Sequence, residues 1–167
     1  MKLSQHIVFS AIVAAFILLL VRNPLLSLVF FITAVFIDLD HLLDYFLFYF
    51  PKEAFHPLKF VREKAGYFLS CVWFRKKVVL IFHSFELLAV LLILGALYSR
   101  IVLYIAFGIA FHLSLDIFWN IIIKNRSKKI CFYFIVFRAI KGFECRNLLS
   151  RFGEETDQEL KSSSEKS

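Results

Sequence analysis

Four long apolar stretches set the pattern of this chain, at 3–21, 24–42, 78–98 and 101–123. A helix crossing a bilayer needs about 20 apolar residues, with a range of roughly 17–25, so each stretch predicts a span. The first two are joined by Arg22-Asn23-Pro24, a tight hairpin in which Pro24 suits a helix's first turn. The first run meets no small-residue cleavage site, which predicts a retained span and not a cleaved signal. The cleanly apolar cores of these two spans, 7–21 and 25–37, are short. Their missing turns carry His6 and Asp38, Asp40 and His41, so these residues fall at the same end of the hairpin.

Beyond His41 an aromatic-rich pattern continues the helix for two turns, until Pro51, and its length places it in the membrane interface. Residues 52–77 form a basic connector containing an apolar patch at 66–74. After the last span and a basic exit, 130–143 is apolar but interrupted by Arg138 and Lys141. It predicts an interfacial segment or one packed on the bundle. From about residue 150 the tail is polar and rich in Ser, Glu and Lys, a composition that predicts disorder. The expected fold is therefore all-α: a polytopic membrane protein with one helical domain at 1–149, four transmembrane helices, and a disordered tail at 150–167. No internal repeat is visible.

Composition agrees with this reading. Apolar residues make up 60% of the 167, where soluble domains sit near ~45–50%, and the mean hydropathy is +0.74. The net charge of +7 does not point to nucleic acid, because the Lys and Arg flank hydrophobic spans. The lipid bilayer and its anionic head groups are the expected partners. Of the 20 Lys and Arg, four spans leave only Arg22 and Arg100 on the side opposite the amino terminus. The positive-inside rule then predicts the cytoplasmic (inner) membrane, with both termini cytoplasmic. Cys71, Cys131 and Cys145 have no CxxC spacing and predict reduced thiols near the cytoplasmic face, not a zinc site.

The chemistry lies in the polar residues that interrupt the spans, since ionisable groups in membrane segments are costly and raise a functional-site hypothesis. His6 opens span one, and Asp38-Leu39-Asp40-His41 closes span two. His83 and Glu86 lie early in span three, and His112 and Asp116 late in span four. All fall in the cytoplasmic half. His112 and Asp116 are i,i+4, while His83 and Glu86, like Asp38 and His41, are i,i+3, so each pair shares a helical face. Imidazole and carboxylate donors suit a divalent metal, with zinc expected first and manganese or iron also accommodated. The expected ligands are His6, Asp38, His41, His83, His112 and Asp116. Asp40 or Glu86 is expected as general base or as an orienting group behind the ligands. The bland alternative for His6 is an interfacial helix-start role, while Asp44 is expected as an interfacial charge and His56 at the surface.

In this order the motifs resemble the YdjM-like family of bacterial inner-membrane metal-dependent hydrolases. The points of likeness are the early histidine of Gln5-His6-Ile7-Val8-Phe9-Ser10, the Asp-x-Asp-His of Asp38–His41, His83-Ser84, and His112-x-x-x-Asp116. Together they cover about residues 4–123. The chain departs from the family pattern in lacking a His-Arg-Gly before His83-Ser84 and in carrying Ile37 where a proline is usual. The resemblance implies a membrane-embedded hydrolase using a divalent metal. The depth of the site points to a phosphoester or lipid-linked small-molecule substrate. The reading from a different class is a non-enzymatic membrane protein that binds or moves a metal ion or protons. Ligands set to one side of the membrane, with no repeat, favour the enzyme.

Overall fold

The structure, a computed structural model, describes residues 3–48, 77, 79–119, 127–144 and 148. These fold as helices α1 (Leu3–Val21), α2 (Pro24–Phe36), α3 (Leu39–Phe48), α4 (Phe85–Tyr98) and α5 (Arg100–Phe118). A 3-10 helix (Ser127–Tyr133) and a short α6 (Ile135–Ile140) follow. Among the described residues there is no strand, only one isolated antiparallel bridge between Lys77 and Glu144.

The α1–α2 hairpin turns as the sequence predicts. Arg22 takes a positive φ of 54°, and the Asn23 side chain accepts a hydrogen bond from Leu26 N at 3.2 Å, capping α2 ahead of Pro24. The two helices meet through Ala14, Phe30 and Ala34, and Ser27 Oγ donates to Ala14 O at 2.6 Å. In hydrocarbon such a bond satisfies a hydroxyl that has no water to turn to.

α2 packs on α1 and on α5, and α5 packs on α4, so α2 and α5 form the centre of the bundle. Two glycines permit the close approaches. A Cβ at Gly95 would lie 2.5 Å from Leu103 Cα, across the α4–α5 hairpin, and one at Gly108 would lie 2.9 Å from Phe30 O on α2. The lower core gathers Ile37, Ile109, Leu113 and Tyr133, with Phe85, Leu88 and Ile117 against it. Outward faces are apolar: Phe16, Leu19, Leu20, Ile93 and Leu97 are all exposed, as expected of helices that meet lipid.

α1, the stretch Pro24–His41 and α5 are each long and apolar enough to cross a membrane. The chain is thus a helical membrane protein. Two expectations need correction. The second stretch is not one continuous helix, because α2 stops at Phe36 and α3 begins at Leu39, with a turn between them. The third stretch is helical only from Phe85, since 79–84 is a non-helical loop capped at Ser84, whose hydroxyl accepts from Leu87 N at 3.3 Å. The connector at 52–76 with His56 and Cys71, residues 120–126, Cys145 and the tail at 150–167 lie outside the described residues.

Candidate metal centre

Each interruption in the apolar pattern delivers a polar side chain to one buried cluster. His6, at the end of α1's first turn, is 1% exposed. Asp38 sits in the break between α2 and α3, with Asp40 and His41 just inside α3. His83 lies in the loop before α4, and His112 and Asp116 lie one turn apart on α5.

Asp38 Oδ1 is the hub. His112 Nε2 lies 3.3 Å from it, His83 Nε2 3.5 Å and His41 Nε2 4.0 Å. Asp116 forms a second node, with Oδ1 3.2 Å from His6 Nε2 and Oδ2 3.5 Å from His112 Nε2. The His6 ring stacks on His112 at 4.1 Å between centroids, and His83 meets His112 edge-on at 5.3 Å. All six residues selected as ligands from sequence fall into three overlapping triads: His6, Asp38 and His112; Asp38, His41 and His83; His83, His112 and Asp116. Within each triad the donor atoms lie within 4.8 Å of one another.

Two imidazoles are met from behind by acceptors. His112 Nδ1 lies 2.8 Å from Ala34 O, a carbonyl that can only accept, so Nδ1 carries the proton and a neutral ring presents the Nε2 lone pair to the cluster. His83 Nδ1 also faces an acceptor, Asp40 Oδ2, at the longer distance of 3.4 Å. Carboxylate or carbonyl behind imidazole is the arrangement that orients metal-bound histidines.

The spacings suit a cation better than hydrogen bonds. Charge-assisted N–H···O bonds run at about 2.7–2.9 Å, shorter than the contacts to Asp38 and Asp116. Two donors each about 2.1 Å from a tetrahedral ion stand roughly 3.4 Å apart, close to the observed 3.2–3.5 Å edges. His83 Nε2, His112 Nε2, His6 Nδ1 and Asp38 Oδ2 are buried without a hydrogen-bond partner. Leaving buried polar atoms unsatisfied is costly, and a cation seated among them would satisfy the nitrogens aimed at the carboxylates. The cluster could therefore hold a metal ion.

Other residues expected in the chemistry serve the loop instead. Asp40 faces away from the hub: its Oδ2 accepts from Phe82 N at 2.7 Å and His83 N at 3.3 Å, besides meeting the His83 ring. Asp44 serves the loop as well. It is buried, and its Oδ2 accepts from Val79 N at 2.8 Å and Leu80 N at 3.2 Å. Burial raises its carboxyl from 3.8 to about 6, against the opposing pull of those two amides. Glu86 is not placed as a base at the cluster, nor does it share a helical face with His83. Its two oxygens accept from Ile135 N at 2.9 Å and Val136 N at 3.1 Å, capping α6.

The pattern reading missed Arg138. It is fully buried, and its guanidinium donates to Leu80 O at 2.9 Å and His83 O at 3.3 Å. Its signal was in plain view: a lone arginine inside an apolar segment asks for a buried partner. Leu80 itself has a φ of 43°, a left-handed conformation costing on the order of 1–3 kcal/mol and held only by its surroundings.

Comparison of the chain with protein-family models, curated proteins and solved structures finds no match in any of the three.

Proposed function

We propose that this protein is a membrane-embedded, divalent-metal-dependent hydrolase whose site opens at the cytoplasmic leaflet. The observation that carries the reading is Asp38 Oδ1 faced by the Nε2 atoms of His41, His83 and His112 in a buried site. The YdjM-like motif resemblance supports the same reaction class. Asp38, His41, His83, His112, Asp116 and His6 would hold the ion, and nitrogen and carboxylate donors put zinc first, ahead of manganese or iron. When bound, the ion supplies Lewis acidity, lowering the pKa of a water and polarising the scissile group. Asp40 and the Ala34 carbonyl keep two imidazoles aimed. Asp38, His41 and Asp116 have the more exposed side chains, at 12%, 11% and 15%, so substrate enters over that edge. A phosphoester or lipid-linked substrate fits a site at this depth.

A fourth crossing is part of the proposal. α4 has 14 residues, about 21 Å at 1.5 Å per residue, which falls short of a core near 30 Å. The loop at 79–84 supplies the remainder. Non-helical backbone is tolerated at membrane depth only where protein satisfies it. Asp40, Asp44 and Arg138 take up amides and carbonyls of this loop. With four spans, the charge count puts the cluster and both termini on the cytoplasmic side of the inner membrane.

The test is turnover by purified protein in detergent against a panel of chromogenic phosphoesters and acyl esters. Hydrolysis should stop with a chelator and return with added zinc. Bound metal with no turnover of any ester would leave the metal-binding or transport reading ahead.

A further inference from the structure

His83 is gripped at three points. Asp40 takes its backbone N–H and meets its ring Nδ1, and Arg138 takes its backbone carbonyl. Three residues earlier, Leu80 is held in the same way: Asp44 accepts from its N–H and Arg138 donates to its C=O. The guanidinium is thus a brace across the two ends of the turn that presents His83. It does not stand alone. Glu86, in the first turn of α4, accepts from the first amides of α6, the helix that carries Arg138. The chain therefore forms a closed polar circuit from α3 to the loop, from the loop to Arg138, and from α6 back to α4.

An arginine anchoring an interfacial helix would reach toward head groups. Arg138 is 0% exposed and spends two nitrogens on main-chain oxygens. Burying a guanidinium is expensive, and here its hydrogen bonds go to the loop that ends in a cluster residue. The fork geometry also matters, since one guanidinium reaches two carbonyls three residues apart, which an ammonium satisfies poorly.

We propose that Arg138 is a positioning residue for the metal centre, acting through His83, and that segment 127–144 is thereby part of the site. The proposal rests on the metal reading above and adds to it the segment that fixes one ligand. Groups that orient ligands typically contribute about 10–100-fold in metal affinity.

The experiment is a double-mutant cycle on full-length protein in detergent, reading zinc affinity by competition with a chromogenic chelator. Arg138→Gln should weaken zinc binding about 10–100-fold, and by less than roughly twofold when introduced into His83→Ala. Cobalt-loaded Arg138→Gln should show an altered visible spectrum, a change that loosening remote from the ligands does not produce. Equal weakening in both backgrounds, or none in either, overturns the proposal. If Arg138→Gln does not fold, Glu86→Ala, which releases the amides of α6 while keeping the arginine, is judged by the same cycle. If wild type binds no zinc, the metal reading itself has failed. If wild type binds and Arg138→Gln binds equally, only the positioning role has.

Discussion

Gly108→Ala places a single methyl group where α5 crosses α2, one turn before His112. The added Cβ would meet Phe30 O and Thr33 Cβ at 2.9 Å and Ala34 N at 3.1 Å, where ordinary contact begins near 3.4 Å. Two of these neighbours are backbone atoms and cannot rotate away. The helices must therefore separate by about half an ångström, the shortfall between those contacts. Ala34 is also the residue whose carbonyl accepts from His112 Nδ1, so the displacement acts directly on a ligand's orientation. Overpacking of this kind costs about 1–3 kcal/mol, which for a chain of this size lowers the melting temperature by roughly 2–12 °C. The assay is a thermal melt in detergent, followed by zinc titration of the same preparation. Ser114→Ala, on the exposed side of the same helix, is the control, with an expected change within about 0.5 kcal/mol. If Gly108→Ala melts and binds zinc as wild type does, the close α2–α5 approach does not hold His112 in place.

Asp40→Ala orphans the Phe82 and His83 amides and frees the His83 ring, so zinc affinity should fall about 10–100-fold; unchanged affinity would remove Asp40 from the orienting role. Asp44 has a folded pKa of about 6 against an ordinary 3.8, so the folded state holds its proton more tightly than the unfolded one. Its stabilising contribution is complete below the ordinary value and is lost as pH rises through the folded one. Asp44→Asn should therefore gain melting temperature relative to wild type between about pH 4 and 7, with a plateau above; a pH-independent difference would refute this. In a background with Cys71 and Cys145 replaced by Ser, an impermeant thiol reagent should label exposed Cys131 from the cytoplasmic face. Ser99→Cys, at the α4–α5 turn, should label from the other face, and the reverse pattern would invert the topology.

Much of this architecture is readable without coordinates, for identifiable reasons. α1 and α5 are long uniform apolar runs with polar turns at their ends, and Asn23-Pro24 announces a helix start. The six cluster residues are readable because charge in hydrocarbon is costly, so each has a reason to meet the others. What pattern alone does not reveal is where tertiary contacts override it. Val79-Leu80-Ile81-Phe82 is as apolar as any helix, yet Asp40 and Asp44 capture its amides and hold it as a loop. The local sign was present in Ser84, a good N-cap ahead of an apolar run with Glu86 in the first turn. Nor does a glycine or proline mark the break at Ile37 and Asp38. Glu86 has the residue type and position of a catalytic base, and only the fold reveals that α6 occupies both its oxygens.

Whether Asp38, the four cluster histidines and Asp116 hold a metal ion is decided by metal analysis. Protein purified in detergent, free of affinity-tag metal, is measured by plasma emission spectrometry beside the His83→Ala, Asp116→Ala double variant. Wild type should carry at least one divalent ion per chain, zinc foremost, and the variant should show a clear loss while its helical signal persists. Wild type without stoichiometric metal, even after dialysis against zinc, would rule the metal site out.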